Sequence, residues 1–144
     1  MFKRILVGFD GSECATEALR MAADMCKLTG AEALVLTVFR HHGMLEGSFS
    51  VARPDRGNMD DDGRAYASEM AAAGKALVQE AGVENVQAFI KPGAPARTVV
   101  AFAKERDADL IVVGSRGVGS IEKFLLGSVS HKVSGLAECP VLVV

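Results

Sequence analysis

Two hydrophobic periods take turns along the chain. Arg4 to Phe9 is a short aliphatic run that stops at Asp10-Gly11-Ser12, and this pattern predicts a strand. Directly after it Ala15, Ala18, Leu19, Ala22, Met25 and Cys26 recur at three- and four-residue steps. That spacing predicts a helix capped by Ser12 and stopped by Gly30. Ala33 to Phe39 predicts a second strand, nearly continuous in apolar residues, as a parallel sheet covered on both faces requires. From Arg40 to about Gly63 the pattern lapses into a glycine-bearing stretch with an acidic cluster, Asp60-Asp61-Asp62, which reads as a long surface loop. Such a loop is uncommon in a compact fold, so a functional flap, partial disorder or a short helix that the pattern misses is implied. Periodicity resumes with Tyr66, Met70, Ala73, Leu77, Val78 and Ala81 before Gly82, predicting a second helix in which Gly74 either weakens the helix or permits close packing. Val86 to Ile90 predicts a third strand, and Pro95 suits the first turn of a third helix that runs through Val99, Val100, Phe102 and Ala103 to Arg106. Asp109 to Gly114 predicts a fourth strand. A glycine-rich loop then leads to a fourth helix, from Phe124 or Gly127 to Leu136, and Val141 to Val144 predicts a fifth strand behind Pro140.

Strict alternation of five strands and four helices predicts an α/β fold, an open doubly wound parallel sheet with helices on both faces. Ligands of such sheets sit beyond the carboxyl ends of the strands, where the strand order reverses. The length of 144 residues fits a single domain over residues 1–144. At 49% hydrophobic and 24% charged residues the chain is too apolar to be disordered. Lysine and arginine number 16 against 18 acids, a net charge of −2, so no positive field draws the protein onto nucleic acid or anionic lipid. One bound nucleotide stays compatible with this, because a phosphate cluster needs only a few local donors. No run of about 18 apolar residues predicts a membrane span. Cys14, Cys26 and Cys139 are widely spaced and form no C-x-x-C pair, which excludes a disulfide framework or zinc site and suits a reducing cytoplasm. The opening Met1-Phe2-Lys3-Arg4 carries no signal-peptide pattern, so a cytoplasmic location is expected.

Two strand ends carry chemistry. Asp10 sits at the tip of the first strand, followed by a flexible turn and a helix cap. Gly114-Ser115-Arg116-Gly117 follows the fourth strand, and Gly127-Ser128 comes after a gap of nine residues. Glycines let a backbone approach a phosphate, the N–H groups of Ser128, Val129 and Ser130 at a helix start can donate to it, and Arg116 adds a charged fork. The segment is neither a Walker A loop, since Gly119 precedes Ser120-Ile121, nor a G-x-G-x-x-G fingerprint. His41 and His42 point apart on an extended chain and read as solvent-exposed. His131 lacks an evident carboxylate partner for a general base, and Cys14 reads as a structural thiol.

Ile5 to Ser12, Gly93-Ala94-Pro95-Ala96, Asp109 to Gly117, Gly127-Ser128 and Cys139 to Val144 together resemble the universal stress protein family across essentially the whole chain. Gly114, Gly117, Gly127 and Ser128 match G-x2-G-x9-G-[S/T], which resembles the signature of that family's ATP-binding branch. The resemblance implies an adenine nucleotide alpha hydrolase-like fold with strand order 3-2-1-4-5, an ATP or AMP ligand, and magnesium as an optional companion. It implies that Asp10 contacts the ribose or a magnesium ion, that Val38 holds adenine by its backbone, and that Gly114, Arg116 and Gly117 line the ribose and phosphate approach. Gly127, Ser128, Val129 and Ser130 would take phosphate oxygens. It further implies a homodimer paired through Val141 to Val144. Two positions depart from the family pattern. Gly8-Phe9 replaces a smaller pair, which is expected to alter adenine packing through Phe9, and Thr37 stands where histidine is frequent. The function implied is a small cytoplasmic nucleotide-binding stress-response protein. A slow ATPase or autophosphorylating enzyme using Ser128 or Ser130 remains an alternative, although no activated nucleophile or paired base is legible. An interaction module with a structural nucleotide is another, with the segment from Arg40 to Gly63 as partner contact or lid.

Overall fold

The computed structural model describes residues 1–40, 56–116 and 127–144. His41, His42, Gly117 and residues 41–55 of the predicted loop lie outside the described residues. The strands are β1 (Arg4–Gly8), β2 (Glu32–Phe39), β3 (Val86–Pro92), β4 (Leu110–Val113) and β5 (Val141–Val143). They form one parallel sheet in the order β3-β2-β1-β4-β5. The helices are α1 (Glu13–Thr29), α2 (Arg56–Glu80), α3 (Pro95–Glu105) and α4 (Ser128–Leu136). The order reverses at β1, whose neighbours are β2 and β4. Val7 lies level with Val35 on one side and Val112 on the other, so the segments leaving β1, β2 and β4 emerge side by side.

Alternate residues of each strand feed separate cores, as the two-residue repeat of a strand dictates. Ile5, Val7, Phe9, Val35 and Val112 pack under α1 and α2. Leu6, Leu36, Ile111 and Val113 pack under α3 and α4 with Val99, Phe102 and Val133. Ser12 caps α1 by accepting the Ala15 N–H at 3.1 Å, and Pro95 opens α3, both as expected.

Helix α2 differs from the expectation in two ways. It begins at Arg56, so residues 56–63 are helical rather than part of a loop. The sequence there, from Arg56 to Gly63, presents no apolar face, and hydrophobic periodicity is blind to such a turn. Its buried face is Ala67, Ala71, Gly74 and Val78, whereas Tyr66 is 66% exposed. The face therefore lies one position away from the Tyr66-Met70-Ala73-Leu77 stripe. The smallest side chains face the sheet because Phe9 fills the space there: a Cβ on Gly74 would stand 2.9 Å from its Cδ2 and 3.0 Å from Val35 Cγ1. Close packing, not flexibility, explains this glycine. Among the described residues no helix is long and apolar enough to cross a membrane.

Candidate binding site

A cavity of about 480 Å³ opens beyond β2, β1 and β4, between α3 and the start of α4. Its β1 side is held by two bonds to β2. The Phe9 N–H donates to the Leu36 carbonyl at 2.9 Å, and the hydroxyl of Thr37, 4% exposed, donates to the Phe9 carbonyl at 2.9 Å. Thr37, noted in the sequence only as a departure, thus fixes the peptide that carries Asp10. The Asp10 carboxylate accepts the Ser12 N–H at 2.9 Å, closing the turn into α1. Ser12 in turn donates its hydroxyl to the Arg116 carbonyl at 3.5 Å, a long contact that links the α1 cap to the loop after β4.

That loop is anchored from both sides. A Cβ on Gly114 would lie 2.7 Å from the Cys14 carbonyl carbon and 2.8 Å from the Ala15 nitrogen. Glycine is required here by the backbone of α1, a reason different from the phosphate approach that the sequence suggested. Ser115 is the hub. Its N–H donates to the Val144 carbonyl at 2.7 Å, and its carbonyl accepts the Gly127 N–H at 2.6 Å and the Ser130 hydroxyl at 3.1 Å. Its hydroxyl donates to Cys14 Sγ at 3.7 Å.

These bonds aim α4. Its first helical bond is His131 N–H to the Gly127 carbonyl at 3.0 Å, so the N–H groups of Ser128, Val129 and Ser130 have no acceptor inside the helix. All three residues line the cavity. Exposed helix-start donors carry partial positive charge, and they attract an anion. Ser130 itself is 1% exposed, and its hydroxyl is committed to the Ser115 and Gly127 carbonyls. What Ser130 offers a ligand is its N–H.

Every described candidate from the sequence lines this one cavity: Asp10 and Val38 from the β1 and β2 ends, Gly114 and Arg116 after β4, and Gly127 to Ser130 at α4. The structure adds Gly8, Val99 and Arg40. Arg40 could have been found from strand alternation, since Leu36, Val38 and Arg40 share one face of β2 and its extension. Among the described lining residues the charged groups are the Asp10 carboxylate and the guanidinium groups of Arg40 and Arg116, a balance that favours a negatively charged guest.

The universal stress protein family matches residues 1–144. The chain belongs to that family. Universal stress protein YxiE of Bacillus subtilis is 35% identical over 148 residues, covering 100% of this chain and 99% of that protein. The solved universal stress protein UspA from Lactobacillus plantarum is 25% identical with a TM-score of 0.84, covering 99% of this chain and 97% of that one. A universal stress protein from Archaeoglobus fulgidus, solved in complex with dAMP, shares the fold at 24% identity and a TM-score of 0.70, covering 99% of this chain and 97% of that one.

The departure from the family pattern at Gly8-Phe9 takes on a different meaning in three dimensions. The Phe9 ring is part of the α1–α2 core and 6% exposed, so its bulk is absorbed by Gly74 rather than by the cavity. Gly8 is what the cavity notices. Its missing side chain leaves the space between Val99 and Val113 open. Among the described residues no group of three or more His, Cys, Asp or Glu side chains could hold a metal by itself. His131 is exposed, and burial pushes the Cys26 thiol, inside the α1 core, up to about 11.

Proposed function

We propose that this universal stress protein binds an adenine nucleotide, ATP or AMP, in the cavity at the strand ends. The observation that carries the reading is the meeting of Asp10, Arg116 and the three α4 N–H groups that have no acceptor inside the helix around one cavity of about 480 Å³, within the range of small-molecule sites. In this reading Val38 holds the base by its backbone and Asp10 takes the ribose. Gly114, Arg116 and Gly117 flank the sugar and phosphates, and Gly127 to Ser130 donate N–H groups to phosphate oxygens. A family neighbour solved with dAMP supports an adenine nucleotide as the ligand class. A carboxylate at this place suits magnesium, which is commonly held by one or two carboxylates together with the phosphates of its nucleotide. Asp10 would hold the ion on the protein side, and the ion would neutralise phosphate charge. The protein acts in this reading as a single cytoplasmic stress-response domain, dimeric through the open edge of β5.

Thermal unfolding with and without nucleotide tests the reading. ATP with magnesium at about a hundredfold its Kd should add about 2.7 kcal/mol, a rise in Tm of roughly 5–10 °C. Arg116→Ala should abolish most of that rise. No shift at millimolar ATP or AMP would overturn the proposal. Light scattering reports the dimer directly, as a particle of twice 15.1 kDa.

A further inference from the structure

We infer that Arg40 is a specificity-determining residue that reads the base end of the bound nucleotide; the inference rests on the nucleotide reading above. The donors suited to phosphate gather on one side of the cavity. Arg116 follows β4, and the Gly127 N–H bond to the Ser115 carbonyl ties the start of α4 to that same loop. Arg40 stands on the other side, beyond β2, with β1 in between. Two strand spacings separate the two guanidinium-bearing segments, about 10 Å at roughly 4.8 Å per strand. A ligand whose phosphates occupy the α4 side reaches Arg40 with its far end, and in a nucleotide that end is the base.

The side chain is equipped for it. Arg40 follows Leu36 and Val38 at two-residue steps, and all three line the cavity. It is exposed, and among the described residues no ion pair or hydrogen bond diverts its guanidinium. Among the described residues the aromatic rings nearby are spoken for: the Phe9 ring packs in the opposite core, and Phe39 is covered by the guanidinium of Arg64 at 5.3 Å. Among the described residues the planar group left on the β2 side of the cavity to cover a base is Arg40. A guanidinium stacks on a π-face, and the two fused rings of a purine offer it a larger face than a pyrimidine does, so it favours a purine.

Titration calorimetry at constant ionic strength, with ATP, CTP and inorganic tripolyphosphate, separates the roles. The wild type should prefer ATP to CTP. Arg40→Ala should weaken ATP about threefold to tenfold, narrow the ATP preference over CTP, and leave tripolyphosphate unchanged. Arg40→Lys, which keeps the charge and loses the plane, should recover the ATP loss only in part. Arg116→Ala should weaken ATP and tripolyphosphate alike. Equal losses for ATP and tripolyphosphate in Arg40→Ala would make Arg40 a general attractor of anions and overturn the inference, as would no loss for either. A wild type that binds neither ligand would overturn the nucleotide reading itself, and the inference with it.

Discussion

The two faces of β1 handle the same problem in opposite ways. Toward α1 and α2 the strand presents Ile5, Val7 and then Phe9, and the helix above gives up a side chain at Gly74 to admit the ring. Toward α3 and α4 it presents Leu6 and then Gly8, and here the strand gives up the side chain while Val99 and Val113 keep theirs. A glycine opposite a large ring produces a sealed core. A glycine with no ring to receive leaves a cavity, which costs stability until a ligand fills it. Placement of small residues, rather than the layer architecture, decides which end of which face can bind.

Four changes would break or sharpen that contrast, taken from the largest expected effect to the smallest. Gly114→Ala forces a Cβ to within 2.7 Å of the α1 backbone, which cannot yield as a side chain can. It should cost about 3 kcal/mol in urea unfolding and weaken nucleotide binding, because the loop on the open face moves with it. A neutral result would mean that the α1 junction does not hold the cavity.

The closed face can be read through Cys26, whose thiol is raised from 9.0 to about 11 by burial in that core. Between those values the unfolded chain releases the proton and the folded chain keeps it. Stability should therefore fall as pH rises from 9 to 11, by roughly 2 kcal/mol at the upper end. Cys26→Ala should flatten the slope; an unchanged slope would show that the thiol is not sealed.

Gly74→Ala places a Cβ 2.9 Å from the Phe9 ring. Overpacking should outweigh the helix propensity gained, for a net loss of about 1–2 kcal/mol. Adding Phe9→Val should return part of it, a coupling that a double-mutant cycle measures. Gly63→Ala, in the same helix with nothing within 4 Å of its Cβ, should instead stabilise by about 0.5–1 kcal/mol in the same assay. Equal effects at the two glycines would remove the steric explanation of the closed face.

Much of this molecule is legible in the residues alone. Apolar runs and helical spacing identify the five strands and four helices, Ser12 and Pro95 mark helix starts, and the spacing from Gly114 to Ser128 marks the loop that meets the first strand's tip. These are local properties: a cap, a breaker or a period involves residues a few positions apart, and the chain carries them wherever it goes. The tertiary structure decided the rest. An alanine-rich helix such as α2 has several faces small enough to pack, and the close fit of Gly74 against Phe9 and Val35 goes with the face that buries Ala67, Ala71 and Val78. Thr37 is an ordinary strand residue until its hydroxyl meets the Phe9 carbonyl, 28 positions away. The Ser130 hydroxyl looks available to a phosphate until burial commits it to the Ser115 and Gly127 carbonyls, which leaves the N–H as what Ser130 offers. Arg40 belongs to no motif and joins the cavity because β2 lies beside β1. Local order follows from short-range sterics and hydrogen bonding, whereas the fit of one side chain against another is settled only when distant segments share the same volume.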